Sequence, residues 1–382
     1  MSRVKLADVI IRANTKVDKD HTDLKYYVGG EHFESGNVTV EQRGLIEGST
    51  IGPMFYYGFK AGQFLLVSRN PHLKKAGVVD FDGICSEKTF VLQTANPEVL
   101  IPEYLPFVLQ NDRFWDYAVE HKHGSTNFFI NWSTLAEYEF ELPSVEEQNR
   151  VATLAWAAHR LKKEYHKLIE ATDDLVKSQF IEMFGGPESV SGSGVTISDV
   201  ADVQVGIVIK PTRYYAEGAN GIKAFRSLNI GPMSIKDDDW VYFTEEAMKE
   251  TQRTEAHAGD VLVVRSGNPG TSCVVPPEYD GCNVVDLIIA HPKTSKILPE
   301  YLCAFTNMPH GKNQIDSQQR GVAQKHFNVG MYNDLKLILP SIEEQRQFVS
   351  FLKQSDKSKF ELQQAVEKVD NLIKSLIQQD NN

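Results

Sequence analysis

The residues with most to offer chemically fall in five short polar stretches. SRNPHLKK (Ser68 to Lys75) gathers Arg69, Asn70, Lys74 and Lys75, and HKHGSTN (His121 to Asn127) gathers Lys122, His123, Ser125, Thr126 and Asn127 around a glycine. Later, KAFRSLN supplies Lys223 and Arg226, RSGN supplies Arg265, and SQQRGVAQKH (Ser317 to His326) supplies Gln319, Arg320, Gln324, Lys325 and His326. These side chains include the donors and acceptors that read base edges and hold phosphates. For any single one of them, a solvated surface loop is the simpler account.

Catalytic signatures are missing. GNPGTSC is the nearest approach to a phosphate-binding loop and lacks its lysine. Asn70-Pro71-His72, Asn96-Pro97-Glu98 and Asn268-Pro269-Gly270 lack the second proline and the aromatic of an adenine-methylation motif. No glycine-rich dinucleotide or S-adenosylmethionine fingerprint opens a helix, and GxSxG and HExxH are absent. Asp80, Asp82, Glu87 and Lys88 lack the Glu-x-Lys spacing of a nuclease centre and read as a turn before a strand. The isolated chain is therefore expected to have no catalytic residue. Cys85, Cys273, Cys282 and Cys303 form no CxxC pair and no Cys/His cluster, so buried free thiols are expected, with no zinc site and no disulfide.

A net charge of −11 counts against an isolated non-specific nucleic-acid binder but leaves room for local basic surfaces. The sequence shows no secretory leader, and no apolar run nears the ~20 residues that span a bilayer. A cytoplasmic protein without a membrane partner is expected.

What must position these stretches is an internal duplication. LPSVEEQ (Leu142 to Gln148) returns as LPSIEEQ (Leu339 to Gln345), so that Ser144 and Ser341 lie 197 residues apart. The same offset relates Ala61-Gly62 to Ala258-Gly259, Cys85 to Cys282, Pro102-Glu103-Tyr104-Leu105 to Pro299-Glu300-Tyr301-Leu302, and Asn131 to Asn328. Upstream the register slips: VKLADV at Val4 resembles VTISDV at Val195. Each copy reads as a strand-rich mixed domain followed by a long helix. FLLVSRN, FVLQT, VLVVRSGN, NVVDLIIA, YEFELP and LKLILP read as strands, and PEYLPFVLQN and PEYLCAFTNM as proline-started helices. The boundaries are a first domain over 1–142, a helix over 143–186, a second domain over 187–338 and a second helix over 339–382.

Each long helix opens on a predicted capping box, Ser144 with Glu147 and Ser341 with Glu344, which satisfies two of the orphan amides of a helix start. In the first helix, Leu154, Leu161, Leu168 and Leu175 recur every seven residues, beside a weaker row of Ala158, Tyr165 and Thr172. In the second, Leu362, Val369 and Leu376 form one row, and Phe351, Ala365 and Leu372 another. Neither stripe covers enough surface to stand alone, whereas the two can bury each other as a coiled coil. Helices of roughly 35 to 40 residues reach on the order of 50 to 55 Å. The expected fold is α+β: two similar globular domains joined by two long antiparallel helices that form a coiled-coil spacer, related by a pseudo-twofold axis.

The order of parts and the repeated LPS-[VI]-EEQ motif resemble the specificity subunit of type I restriction–modification systems. GSTNFFINWSTLAEYEFELP and GVAQKHFNVGMYNDLKLILP are similar to the ends of that family's target-recognition domains. The resemblance covers the whole chain. It implies that each domain reads one half of a bipartite, asymmetric site in double-stranded DNA. It implies further that the helices set the spacer and dock two methyltransferase subunits, and that translocase/nuclease subunits join the full complex. S-adenosylmethionine, ATP and Mg would then belong to the partner subunits, with no cofactor in this chain. On this reading the five polar stretches become candidate DNA contacts. The alternative is a protein-binding scaffold, two heads on a coiled-coil rod, with no role on DNA.

Overall fold

A computed structural model describes residues 2–319 and 327–379, apart from the side chains of residues 378 and 379. The chain divides into two compact units: Met1–Lys167 with Gln363–Asn382, and Leu168–Leu362.

The first unit holds an antiparallel sheet in the order Ile10–Ala13, Thr89–Thr94, Phe64–Val67, Ala76–Val78. A second sheet runs Gly44–Leu45, Tyr26–Val28, Gly83–Ser86, Phe55–Phe59, with Tyr26–Val28 and Gly83–Ser86 parallel. The second unit repeats this arrangement. Its first sheet is Ala201–Val205, Leu287–Pro292, Val261–Val264, Ser272–Val274, and its second is Val241–Phe243, Ile222–Phe225, Cys282–Val284, Glu255–Ala256, again with one parallel pair. The duplication read from sequence is therefore a duplication of topology.

Four local expectations change. NVVDLIIA is two strands, because Asp286 adopts a left-handed backbone (φ 51°) and turns the chain between the sheets. LKLILP is no strand: it makes a bridge from Lys336 to Thr196, accepts the Ile197 amide at Leu335 (3.1 Å) and donates the Leu337 amide to the Val195 carbonyl (2.9 Å), where its counterpart forms the strand Glu139–Leu142. The helix in PEYLPFVLQN starts late, at Leu105, because Pro106 is favoured in a first turn and excluded from an interior; Pro299–Asn307 starts at its first proline. The Cys85/Cys282 match is one residue out of register. Ala61 donates to the Asp82 carboxylate and Ala258 to that of Asp280, which places Cys85 against Asn283 in the repeat. All four thiols are buried and free, and burial pushes Cys85 up to about 12 and Cys282 to about 11.

The long helices span Val145–Phe184 and Ile342–Gln379. Val151, Ala152 and Ala155 from the start of the first, and Ile377 from the end of the second, lie in the first unit's core. Val176 and Phe180, with Phe348, Val349 and Leu352, lie in the core of the second unit. In the first unit Lys162 meets Asp370 at 2.7 Å, and in the second Lys359 meets Asp173 at 2.8 Å. Within each unit, numbering rises along one stretch as it falls along the other, so the paired stretches are antiparallel.

The inward faces are not the ones the leucine spacing suggests. Leu154, Leu161, Leu168 and Leu175 are 45, 44, 50 and 53% exposed. The row read as weaker, Ala158, Tyr165 and Thr172, lies inward together with Val151, Ala155, Lys162, Ile169 and Val176. On the second helix Leu362, Val369 and Leu376 face inward and Leu372 is exposed. A seam of small and polar residues gives a weak hydrophobic signal; the leucine row flanks it.

Candidate nucleic-acid interface

What fixes each head to its helix is the glutamine that ends the repeated motif. Gln148 is fully buried; its Oε1 accepts the Ile101 amide (3.0 Å), and its Nε2 donates to the carbonyls of Val99 (2.9 Å) and Pro143 (3.0 Å). Gln345 does the same with Leu298 (2.8 Å), Lys296 (3.1 Å) and Pro340 (3.0 Å). Sequence reasoning credited the motif to its capping residues and missed this role. The caps themselves differ. Ser341 and Glu344 form the full reciprocal box, while Glu147 is drawn to Arg150, leaving only the Glu147 amide on Ser144 Oγ (3.3 Å). Position 347 is Gln, so the second copy has no such competitor.

In the first head, the two candidate segments meet at one end of the first sheet. The strand Phe64–Val67 runs out into Ser68, Arg69 and Asn70. Arg69 bridges Phe129, the Asn70 amide donates to the Phe128 carbonyl (2.9 Å), and the Ile130 amide donates to Ser68 (2.9 Å). His123 and Phe129 exchange both backbone bonds (2.7 and 3.0 Å), closing a loop whose Ser125, Thr126 and Asn127 are exposed. Gly124 is required at its bend: φ is 93°, and a Cβ would stand 2.6 Å from the Asn127 carbonyl oxygen. Lys122 Nζ lies 4.7 Å from the Phe128 ring centroid, so its charge sits on the same surface. Arg69, Asn70, Lys122, His123, Ser125, Thr126 and Asn127 are thus brought together. Lys74 and Lys75 already have internal partners, Asp112 (2.7 Å) and the Gly30 carbonyl (2.7 Å).

The second head commits three of its candidates, Lys223, Arg226 and Arg265, to internal bonds. Lys223 pairs with Asp237 (2.6 Å) and stacks over Trp240 and Tyr279, and the Asp237 hydrogen bond raises its pKa above the ordinary lysine value. Arg226 pairs with Asp239 (3.3 Å). Arg265 occupies the place of Ser68, beneath the surface, where it holds Asp286 (2.7 Å) and the Phe327 carbonyl (3.1 Å). Gln319 ends the helix Pro309–Gln319 and is partly buried. Arg320, Gln324, Lys325 and His326 lie outside the described residues. Among the described residues no group of His, Cys, Asp or Glu is disposed to hold a metal, and no helix is long and apolar enough to cross a membrane.

Residues 196–369 match the family model described as the type I restriction modification DNA specificity domain. A solved structure described as concerning complex assembly and conformational transition of the type I R-M system aligns over 99% of this chain and 97% of its own, at TM-score 0.60 and 17% identity. The type I restriction-modification system S subunit from M. genitalium aligns over 100% and 96%, at TM-score 0.57 and 12% identity. No curated protein matches the sequence. In fold the resemblance carried by the repeated motif holds: the chain is similar along its length to these type I structures, and its residues 196–369 match the type I restriction modification DNA specificity domain.

Proposed function

We propose that the chain is the DNA-recognition subunit of a type I restriction–modification complex, and that each head reads one half of a bipartite, asymmetric site. The observation that carries this is one sheet topology occurring twice with unlike residues at its loop-bearing end. Ser68-Arg69-Asn70 in the first head stands where the second has Arg265-Ser266-Gly267, and HKHGSTN where the second has QQRGVAQ. The scaffold glutamines, by contrast, are retained in both. Two heads with one frame and different reading edges suit two different half-sites.

On this reading the long helices pair antiparallel along their length as a spacer. Forty residues extend about 60 Å, enough to hold two heads over half-sites one turn apart, ~34–36 Å. The exposed leucine row supplies the face on which two methyltransferase subunits dock. Those partners would carry S-adenosylmethionine and flip the target adenine out of the stack; translocase/nuclease subunits would bring ATP and Mg. This chain's part is to bind, orient and space.

The test is to insert one heptad into each long helix at matching positions, which preserves the seven-residue seam and adds about 10 Å. Assembled with its partner subunits, the variant should prefer a DNA spacer longer by about three base pairs, at ~3.4 Å each. An unchanged preferred spacer would overturn the ruler, and an absence of sequence preference in the unaltered complex would overturn DNA recognition itself.

A further inference from the structure

Arg12 belongs to none of the basic stretches, yet the fold carries it to the same end of the first head. It lies on the strand Ile10–Ala13, opposite Leu92. That strand is antiparallel to Thr89–Thr94, which is antiparallel to Phe64–Val67. The end of the first strand, the start of the second and the Ser68–Asn70 exit of the third therefore share one edge. The Arg12 guanidinium lies between two rings, 4.7 Å from the Phe90 centroid and 5.3 Å from that of Tyr57. Phe90 is in turn held edge-on by Trp132 at 6.0 Å. Among the described residues Arg12 has no ion-pair partner, and its buried Nε donates to no protein acceptor. This sets it apart from Arg226 and Arg265, each of which is held by an aspartate.

A guanidinium held over aromatic faces loses little freedom on binding. Its fork of donors suits a pair of acceptors side by side, which a phosphate and the O6/N7 edge of a guanine both present; a residue that reads sequence should differ between the two heads, whereas a phosphate contact has no need to. The clamp is also specific to this head. Strand pairing puts Val203, Glu255 and Ile288 at the places of Arg12, Tyr57 and Phe90, so all three members are replaced together while the scaffold glutamines stay. We infer that Arg12 is a base-reading residue of the first head, donating its N–H fork to the acceptor edge of a guanine in the major groove. The inference rests on the proposed DNA recognition and names one of its contacts.

The experiment is selection from a randomised duplex library by the full chain assembled with its methyltransferase partner, comparing wild type, Arg12→Lys and Arg12→Ala. Discrimination at one base pair of one half-site should fall about 10- to 100-fold in both variants. The other half-site should be selected as before, which shows that the variants are folded. Full retention of the preference in Arg12→Lys, with a uniform loss and a shallower salt dependence in Arg12→Ala, would make Arg12 a phosphate contact and overturn the inference. An identical profile in all three would make the clamp purely structural. A wild type that selects no sequence would remove the parent reading together with this one.

Discussion

Lys359 holds Asp173 at 2.8 Å in the second unit, and the offset of the repeat carries this pair onto Lys162 and Asp370, 2.7 Å apart in the first. One ion pair thus occurs twice with its partners exchanged between helices, as expected when a duplicated helix pairs with its own copy. Burial disfavours the Lys359 ammonium, but the hydrogen bonds and charges of Asp173 and Asp356 prevail and raise its pKa. Changing Asp173→Lys should set two cations face to face and lower stability by about 1–2 kcal/mol in urea denaturation. The exchange Asp173→Lys with Lys359→Asp should recover most of that. A double variant no more stable than the sum of its singles would show that the pair does not set the register.

The motif glutamines should be far more sensitive than the capping residues beside them. Gln148→Ala leaves the Ile101 amide and two carbonyls without their side-chain partner in a site closed to water. Each orphaned group costs about 1–3 kcal/mol, so a loss of about 3 kcal/mol or more is expected, and the same for Gln345→Ala. Removing a cap through Ser144→Ala should cost about 1 kcal/mol or less, since that box is only half formed. Hydrogen exchange at the Ile101 amide is the direct readout, and protection unchanged in Gln148→Ala would contradict the assignment.

Most of the architecture was legible because duplication leaves its mark in residue identities whether or not each residue's role is understood. The two motif copies located both helices to within a few residues. Side-chain partners were not legible. Arg265 looks like an exposed cation in RSGN, and only the sheet shows that it takes the buried place of Ser68 and finds Asp286 across a strand break. The helix seam was misplaced for a related reason. Hydrophobic spacing finds the most apolar row, and here the seam holds Ala155, Ala158, Lys162 and Thr172, while the leucines lie beside it.

That displacement can be tested. Leu161→Ser, on the exposed row, should change stability by less than about 0.5 kcal/mol, yet weaken co-purification of a methyltransferase partner. Val369→Ser, inside the seam, should destabilise the chain by about 2 kcal/mol, because it buries a hydroxyl in place of methyl groups. The reverse ranking of stabilities would restore the leucine row as the seam.

The second head also carries a pH-dependent element. His291 Nδ1 lies 2.7 Å from the Asp260 carboxylate, and Gln204 faces its other ring nitrogen at 3.0 Å, able to present either its amide nitrogen or its oxygen. The Asp260 hydrogen bond raises the His291 pKa above 6.5, with burial opposing it. A raised folded-state pKa means that the protonated pair stabilises the fold fully below the unfolded value, near 6.5. That contribution is lost as pH climbs through the folded value. The stability difference between wild type and His291→Gln should therefore be largest near pH 6, on the order of 1 kcal/mol, and shrink steadily toward pH 8.5. Thermal melts at fixed ionic strength would measure it, and a difference that grew with pH would show that the neutral imidazole, not the ion pair, is what this head requires.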